Sequence, residues 1–142
     1  MSLVADVAEA VRAELDDGGF SQPFKAVRAY RHNETLPQGR ELRVSVVPKG
    51  VKVAPASRGS CSYIIEIFVV VTKKVTGAGP EVIDPLLGLP EEIVEFFRLR
   101  RLAKYPAAMW LSTEVDPMVS TEHLEGLKQF TSLVTLAWKV VK

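Results

Sequence analysis

The chain has 142 residues, 47% of them hydrophobic and 25% charged, and its 18 Lys and Arg against 17 Asp and Glu give a formal net charge of +1. That length suits one domain with a real core, the composition excludes a disordered chain, and the near-neutral balance lacks the electrostatic footprint of a dedicated nucleic-acid binder. The lone Cys61 can form no intramolecular disulfide, the start lacks the positive segment and apolar run of a secretory signal, and the most apolar run, Tyr63 to Val71, contains Glu66 and falls far short of the roughly 20 residues of a bilayer span, so a single cytosolic domain over residues 1–142 is expected.

Leu3, Val4, Val7, Val11 and Leu15 recur at helical spacing before Gly18-Gly19, which predicts an opening amphipathic helix. From Phe24 to Tyr30 and from Leu42 to Val47 the β-branched and aromatic content rises. The intervening Asn33 to Arg40 holds Pro37 and Gly39, so the pair is expected as a long-looped hairpin carrying Arg28, Arg31, Arg40 and Arg43. Val51 to Arg58 contains Pro55 and is expected as an irregular edge stretch or loop, because proline donates no hydrogen bond to a central ladder.

Ser62 to Thr72 carries the strongest strand signal. Tyr63, Ile65, Ile67, Val69 and Val71 alternate on one face, and Ile64, Phe68 and Val70 make the other mostly apolar, which predicts a central strand covered on both sides. A turn at Thr76 to Pro80 leads into a helical stretch from Val82 to Ala103, interrupted by Pro85 and Pro90. Met109 to Val115 suggests a short strand, Asp116-Pro117 a turn, and Ser120 to Leu127 one or two capped helical turns. The last strand, Phe130 to Val141, turns Phe130, Val134, Leu136, Trp138 and Val140 to one face and Thr131, Thr135 and Lys139 to the other. The expected fold is α+β: a mixed, mostly antiparallel sheet of about four to five strands, with the N-terminal helix and a long helix packed on it.

No catalytic, cofactor or metal constellation emerges. His32, His123 and Cys61 are far apart and lack a C-x-x-C pair, and Gly59-Ser60-Cys61-Ser62 precedes a strand, unlike a nucleophile elbow. Gly77-Ala78-Gly79-Pro80 joins strand to helix without the letters of a phosphate loop. Glu91, Glu92 and Glu95 follow Pro90, where a helix start would favour negative charge over any acid–base role. Arg98, Arg100, Arg101 and Lys104 form the densest basic cluster, with Arg98 and Arg101 spaced to share one helix face, either solvated or docking a partner. Trp110 and Trp138 are both expected in the core.

Leu42-Arg43-Val44-Ser45-Val46-Val47-Pro48, Ala56-Ser57-Arg58, Tyr63 to Lys73, and Asp116-Pro117 to Thr135 with Gln129-Phe130-Thr131-Ser132 together resemble small phage or prophage morphogenesis proteins of the tail-terminator and head–tail joining kind. The resemblance covers most of the chain through short apolar words. It implies a non-enzymatic α/β subunit that forms a ring, commonly a hexamer, and uses no cofactor. Its implied partners are copies of itself, the tail tube protein and head-completion proteins, with neither a membrane nor a specific nucleic-acid sequence. It also implies assembly in the cytoplasm and a place in the tail or neck of the virion. It carries over no residue by motif, so Arg28, Arg31, Arg40, Arg43, Arg98 and Arg101 are candidates for subunit or partner contacts on charge alone.

Two other classes are consistent with the residues. One is a small-ligand-binding or enzymatic domain with a pocket between the long helix and the sheet, lined by Cys61 or His123. The other is a nucleic-acid-associated protein using the hairpin arginines.

Overall fold

The computed structural model describes residues 2–30 and 42–142. The elements run α1 (Leu3–Asp17), β1 (Ala26–Arg28), β2 (Arg43–Ser57), β3 (Ser60–Lys74), α2 (Pro80–Phe97), β4 (Met109–Val115), α3 (Thr121–Leu127) and β5 (Gln129–Val141). The strands form one five-stranded sheet in the order β1-β2-β3-β5-β4. Only β1 and β2 pair in parallel; the other neighbours are antiparallel. This is the α+β architecture expected from the sequence, and among the described residues no helix is long and apolar enough to cross a membrane.

Ser2 starts α1 by accepting a hydrogen bond from the Ala5 N–H, and the helical period then buries Val7, Ala8, Ala10, Val11 and Leu15. Gly18 ends the helix in extended rather than left-handed backbone; its missing side chain matters because a Cβ there would run into the Phe20 ring. Phe20 begins an aromatic chain through Phe96 and Phe97 to Trp138, with ring centroids 5.0, 5.0 and 5.9 Å apart. That chain joins the segment after α1, the end of α2 and the centre of β5 across one core.

The core lies on one face of the sheet, here the helix face. In register, Val46 meets Val69 and Val69 meets Val134, while Ile65 meets Trp138 and Ile67 meets Leu136. All of these are buried at 0% exposure, under Val7 and Val11 of α1 and Leu89, Ile93 and Phe97 of α2. A period of two puts every second strand residue there, so about 25 cal/mol per Å2 of apolar burial accrues on that side.

The structure corrects several expectations. The segments around β1 and β2 are not a hairpin, since Ala26, Val27 and Arg28 run parallel to Val44, Ser45 and Val46. Arg31 and Arg40 lie outside the described residues. Val51 to Ser57 is no loop but the outer half of β2, paired to β3 down to Ser57 and turned by Gly59 at a φ of 87°. Its far side is unpaired among the described residues, so Pro55 sits where a proline is tolerated, on an edge.

α2 begins at Pro80, after Gly79, and runs through Pro85 and Pro90 to Phe97. A proline at the first turn forfeits nothing, whereas those at 85 and 90 leave the carbonyls of Glu81 and Leu86 without their helical donors. β3 is central as expected, but cover is uneven. On the face away from α1 and α2, Ile64 and Phe68 are only half-buried, and the short α3 meets the sheet at Thr131 of β5 and Lys74 of β3.

Candidate interaction surface

Arg28, at the end of β1, lies on the helix face in register with Val46. One guanidinium nitrogen is 4.0 Å from Glu9 of α1, another donates to the Tyr30 hydroxyl at 3.0 Å, and its Nε is buried without a partner. Arg12 also pairs with Glu9 at 2.6 Å, and its hydrogen bond is the main reason that the Glu9 carboxyl is held below its ordinary range, with the charges of Arg12, Arg28 and Lys104 adding to it. Arg43 opens β2 opposite Thr72, and the alternation of the strand turns it to the face away from Arg28. These two arginines therefore share no surface.

Arg98 and Arg101 do not share a helix face, because α2 ends at Phe97 and Leu99 follows with a φ of 57°. Arg98 caps the helix and reaches Glu95 at 4.0 Å; Arg101 is exposed in the following loop. Arg100 takes a structural part instead, donating to the buried carboxylate of Glu14 at 2.7 Å and stacking 3.9 Å from the Phe96 ring centre. Glu91, Glu92 and Glu95 occupy the second half of α2 rather than a helix start, so the dipole does not explain them. Glu92 instead holds the segment after α1, accepting from the Ser21 N–H at 2.9 Å and the Ser21 hydroxyl at 2.5 Å.

Gly79 precedes α2 in extended backbone, with no side-chain cap. Cys61 is half-buried at the mouth of the β2–β3 turn and exchanges backbone hydrogen bonds with Lys142. Trp138 is fully buried, while Trp110 is only partly covered and donates to Thr113 at 2.8 Å. Among the described residues no group of three His, Cys, Asp or Glu side chains could hold a metal ion.

Among the described residues two features of the sheet stand open to solvent. The first is an apolar groove of about 440 Å3 on the face away from α1 and α2, walled by Val47, Phe68, Val70 and Leu133 with His123 and Lys49 at its rim. It is not the pocket between long helix and sheet expected from the sequence: His123 lines it, Cys61 does not, and α2 lies on the other side. The His123 ring holds Thr131 through Nδ1 at 2.8 Å.

The second is the arm formed by the outer halves of β2 and β3. Residues 49–59 are all exposed, and Val51 and Val53 keep 44% and 55% of their surface in water although they lie in register with Ile65 and Tyr63 on the helix face. At the opposite edge of the sheet β4 shows Met109 and Leu111 at 48% and 41%. The arm is missed in the sequence because Pro55 outweighs the Val51-Lys52-Val53 alternation and the Arg58-Gly59 turn, the two signals that mark it.

No protein-family model matches the chain, and no curated protein matches it.

Proposed function

We propose that the protein is a structural subunit that assembles with copies of itself into a ring, in the manner of a tail terminator or head–tail connector of a long-tailed phage or prophage. The observation that carries the proposal is the β2–β3 arm. It is an exposed, partly apolar strand edge that a monomer has no use for and that is a template for pairing with another chain. The second exposed edge, β4, supplies a surface to receive it. Tail tube and head-completion proteins are the further partners, with assembly in the cytoplasm and a final place in the virion; no catalytic step belongs to the proposal. Negative-stain images of the concentrated protein, alone and with tail tube protein, test it: closed rings of one size are expected, and a field of unassembled particles in both samples contradicts it.

The groove supports a second reading, a small-ligand site. It is apolar with a few polar groups at its rim, and its volume falls within the range of about 300–1,000 Å3 usual for ligand pockets. A thermal-shift screen decides for it if an apolar small molecule raises the unfolding midpoint and Phe68→Ala abolishes the effect.

A further inference from the structure

We propose that the outer edge of β2 in one copy pairs with the outer edge of β4 in the next, so that one sheet continues from subunit to subunit. The proposal rests on the self-assembly reading above and adds the surfaces, the head-to-tail order and the residues that enforce it.

The two edges are complementary in charge. Residues 49–59 carry Lys49, Lys52 and Arg58 and no acid, whereas residues 109–116 carry Glu114 and Asp116 and no base. Lys52 stands in register with Ile64 and Glu114 with Thr135, so both belong to the face of the sheet away from α1 and α2. In a continued sheet with the two faces aligned, Lys52 and Glu114 fall on the same side. Both are exposed, and neither makes a hydrogen bond or ion pair among the described residues.

The backbone points to the same partner. Between Pro48 and Pro55 every residue of β2 has an N–H, and the described residues offer the edge no partner beyond the parallel contact at Val46, where Ala29 also donates to the Val46 carbonyl at 3.0 Å. Exposed apolar side chains flank both edges, Val51 and Val53 on the helix face of β2 and Met109 on the opposite face of β4. β2 is antiparallel to β3, β3 to β5 and β5 to β4, so β2 and β4 run in opposite directions and meet as an antiparallel pair in an extended sheet.

Charge also selects against the symmetric alternatives. Two β2 edges would bring Lys52 and its neighbours together, and two β4 edges would oppose their acids, both repulsive. The surviving contact is heterologous, the type that closes into a ring when the rotation between copies permits it.

The test uses Lys52→Glu and Glu114→Lys in the full chain, with the solution mass as readout. Each variant should keep the unfolding midpoint to within about 2 °C, as expected for exposed, unpartnered side chains, and each alone should need about tenfold more protein than the parent chain to assemble. An equimolar mixture should restore assembly, because the acid introduced at position 52 of one copy then meets the base introduced at position 114 of the other. The native pair of Lys52 and Glu114 forms at the next junction, and only even-numbered rings can alternate in this way. If the parent chain assembles and both variants assemble equally well, or if both fail and the mixture also fails, the edge pairing is overturned while self-assembly stands. A parent chain that stays monomeric at every concentration, alone and with tail tube protein added, overturns self-assembly itself.

Discussion

Glu14 lies on the buried side of α1 with 5% of its surface exposed, yet its carboxylate is fully used. It accepts from Arg100 at 2.7 Å and from the Ala103 N–H at 2.6 Å, tying the first helix to the loop after α2. Glu14→Ala would strand both donors, one of them a charge, and is expected to cost about 2–4 kcal/mol in urea unfolding. Glu14→Gln keeps an acceptor and should cost less. Nothing local in the sequence marks Glu14, since its partners lie 86 and 89 residues away and only the tertiary fold brings them together.

Glu9 is the residue with a legible pH dependence. Its carboxyl is held down in the folded state, chiefly by the Arg12 hydrogen bond, so its contribution to stability is present above the usual carboxylate range of about pH 4 and is lost as the pH falls through the lowered folded value. Because Glu9 is well exposed, the effect is small. Stability measured between neutral and acid pH should fall less steeply in Glu9→Gln than in the parent chain; identical slopes would remove Glu9 from the account.

At the scale of elements, legibility follows the strength of periodic signals. β3, β4, α3 and β5 are legible close to their observed bounds because alternation, the Asp116-Pro117 turn and the Ser120 cap agree with one another. Two of the misreadings share one cause, the weight given to proline. Pro55 hides the outer half of β2, and Pro85 and Pro90 divide on paper a helix that is continuous because Ile83, Leu89 and Ile93 bury against the sheet. In α2 tertiary burial outweighs the local penalty, and in β2 the edge position removes it. Pro85 is exposed, so Pro85→Ala restores a donor for the Glu81 carbonyl without disturbing the core and is expected to stabilise by about 1 kcal/mol, after the entropy regained by the unfolded chain is subtracted. A loss of stability in thermal unfolding would show that the ring of Pro85 packs more usefully than its exposure suggests. The parallel pairing of β1 with β2 is not legible at all, because direction is not encoded in the alternation of a three-residue strand.

Both long helices pack on one face of the sheet, and among the described residues both lateral edges remain open to solvent along part of their length. A monomer in that condition risks indiscriminate pairing, and lysines on an exposed edge are a common protection against it. Here Lys49 pairs with Glu66 of β3 at 3.3 Å, and the proposed edge pairing would give Lys52 its opposite charge on β4 of a second copy. Of the interface residues chosen from sequence, Arg28 and Arg98 are engaged with nearby acids. Lys52 and Glu114, to which the proposed edge pairing assigns a role, are missed because the strands that carry them first have to be placed at the two edges of one sheet.

Self-assembly is read from the mass in solution by light scattering over a range of concentrations and salt. A defined multiple of the 15.7 kDa chain is expected, growing in as concentration rises and receding as salt screens the complementary edges. A mass of one chain at every concentration, at low salt and with tail tube protein added, would contradict it.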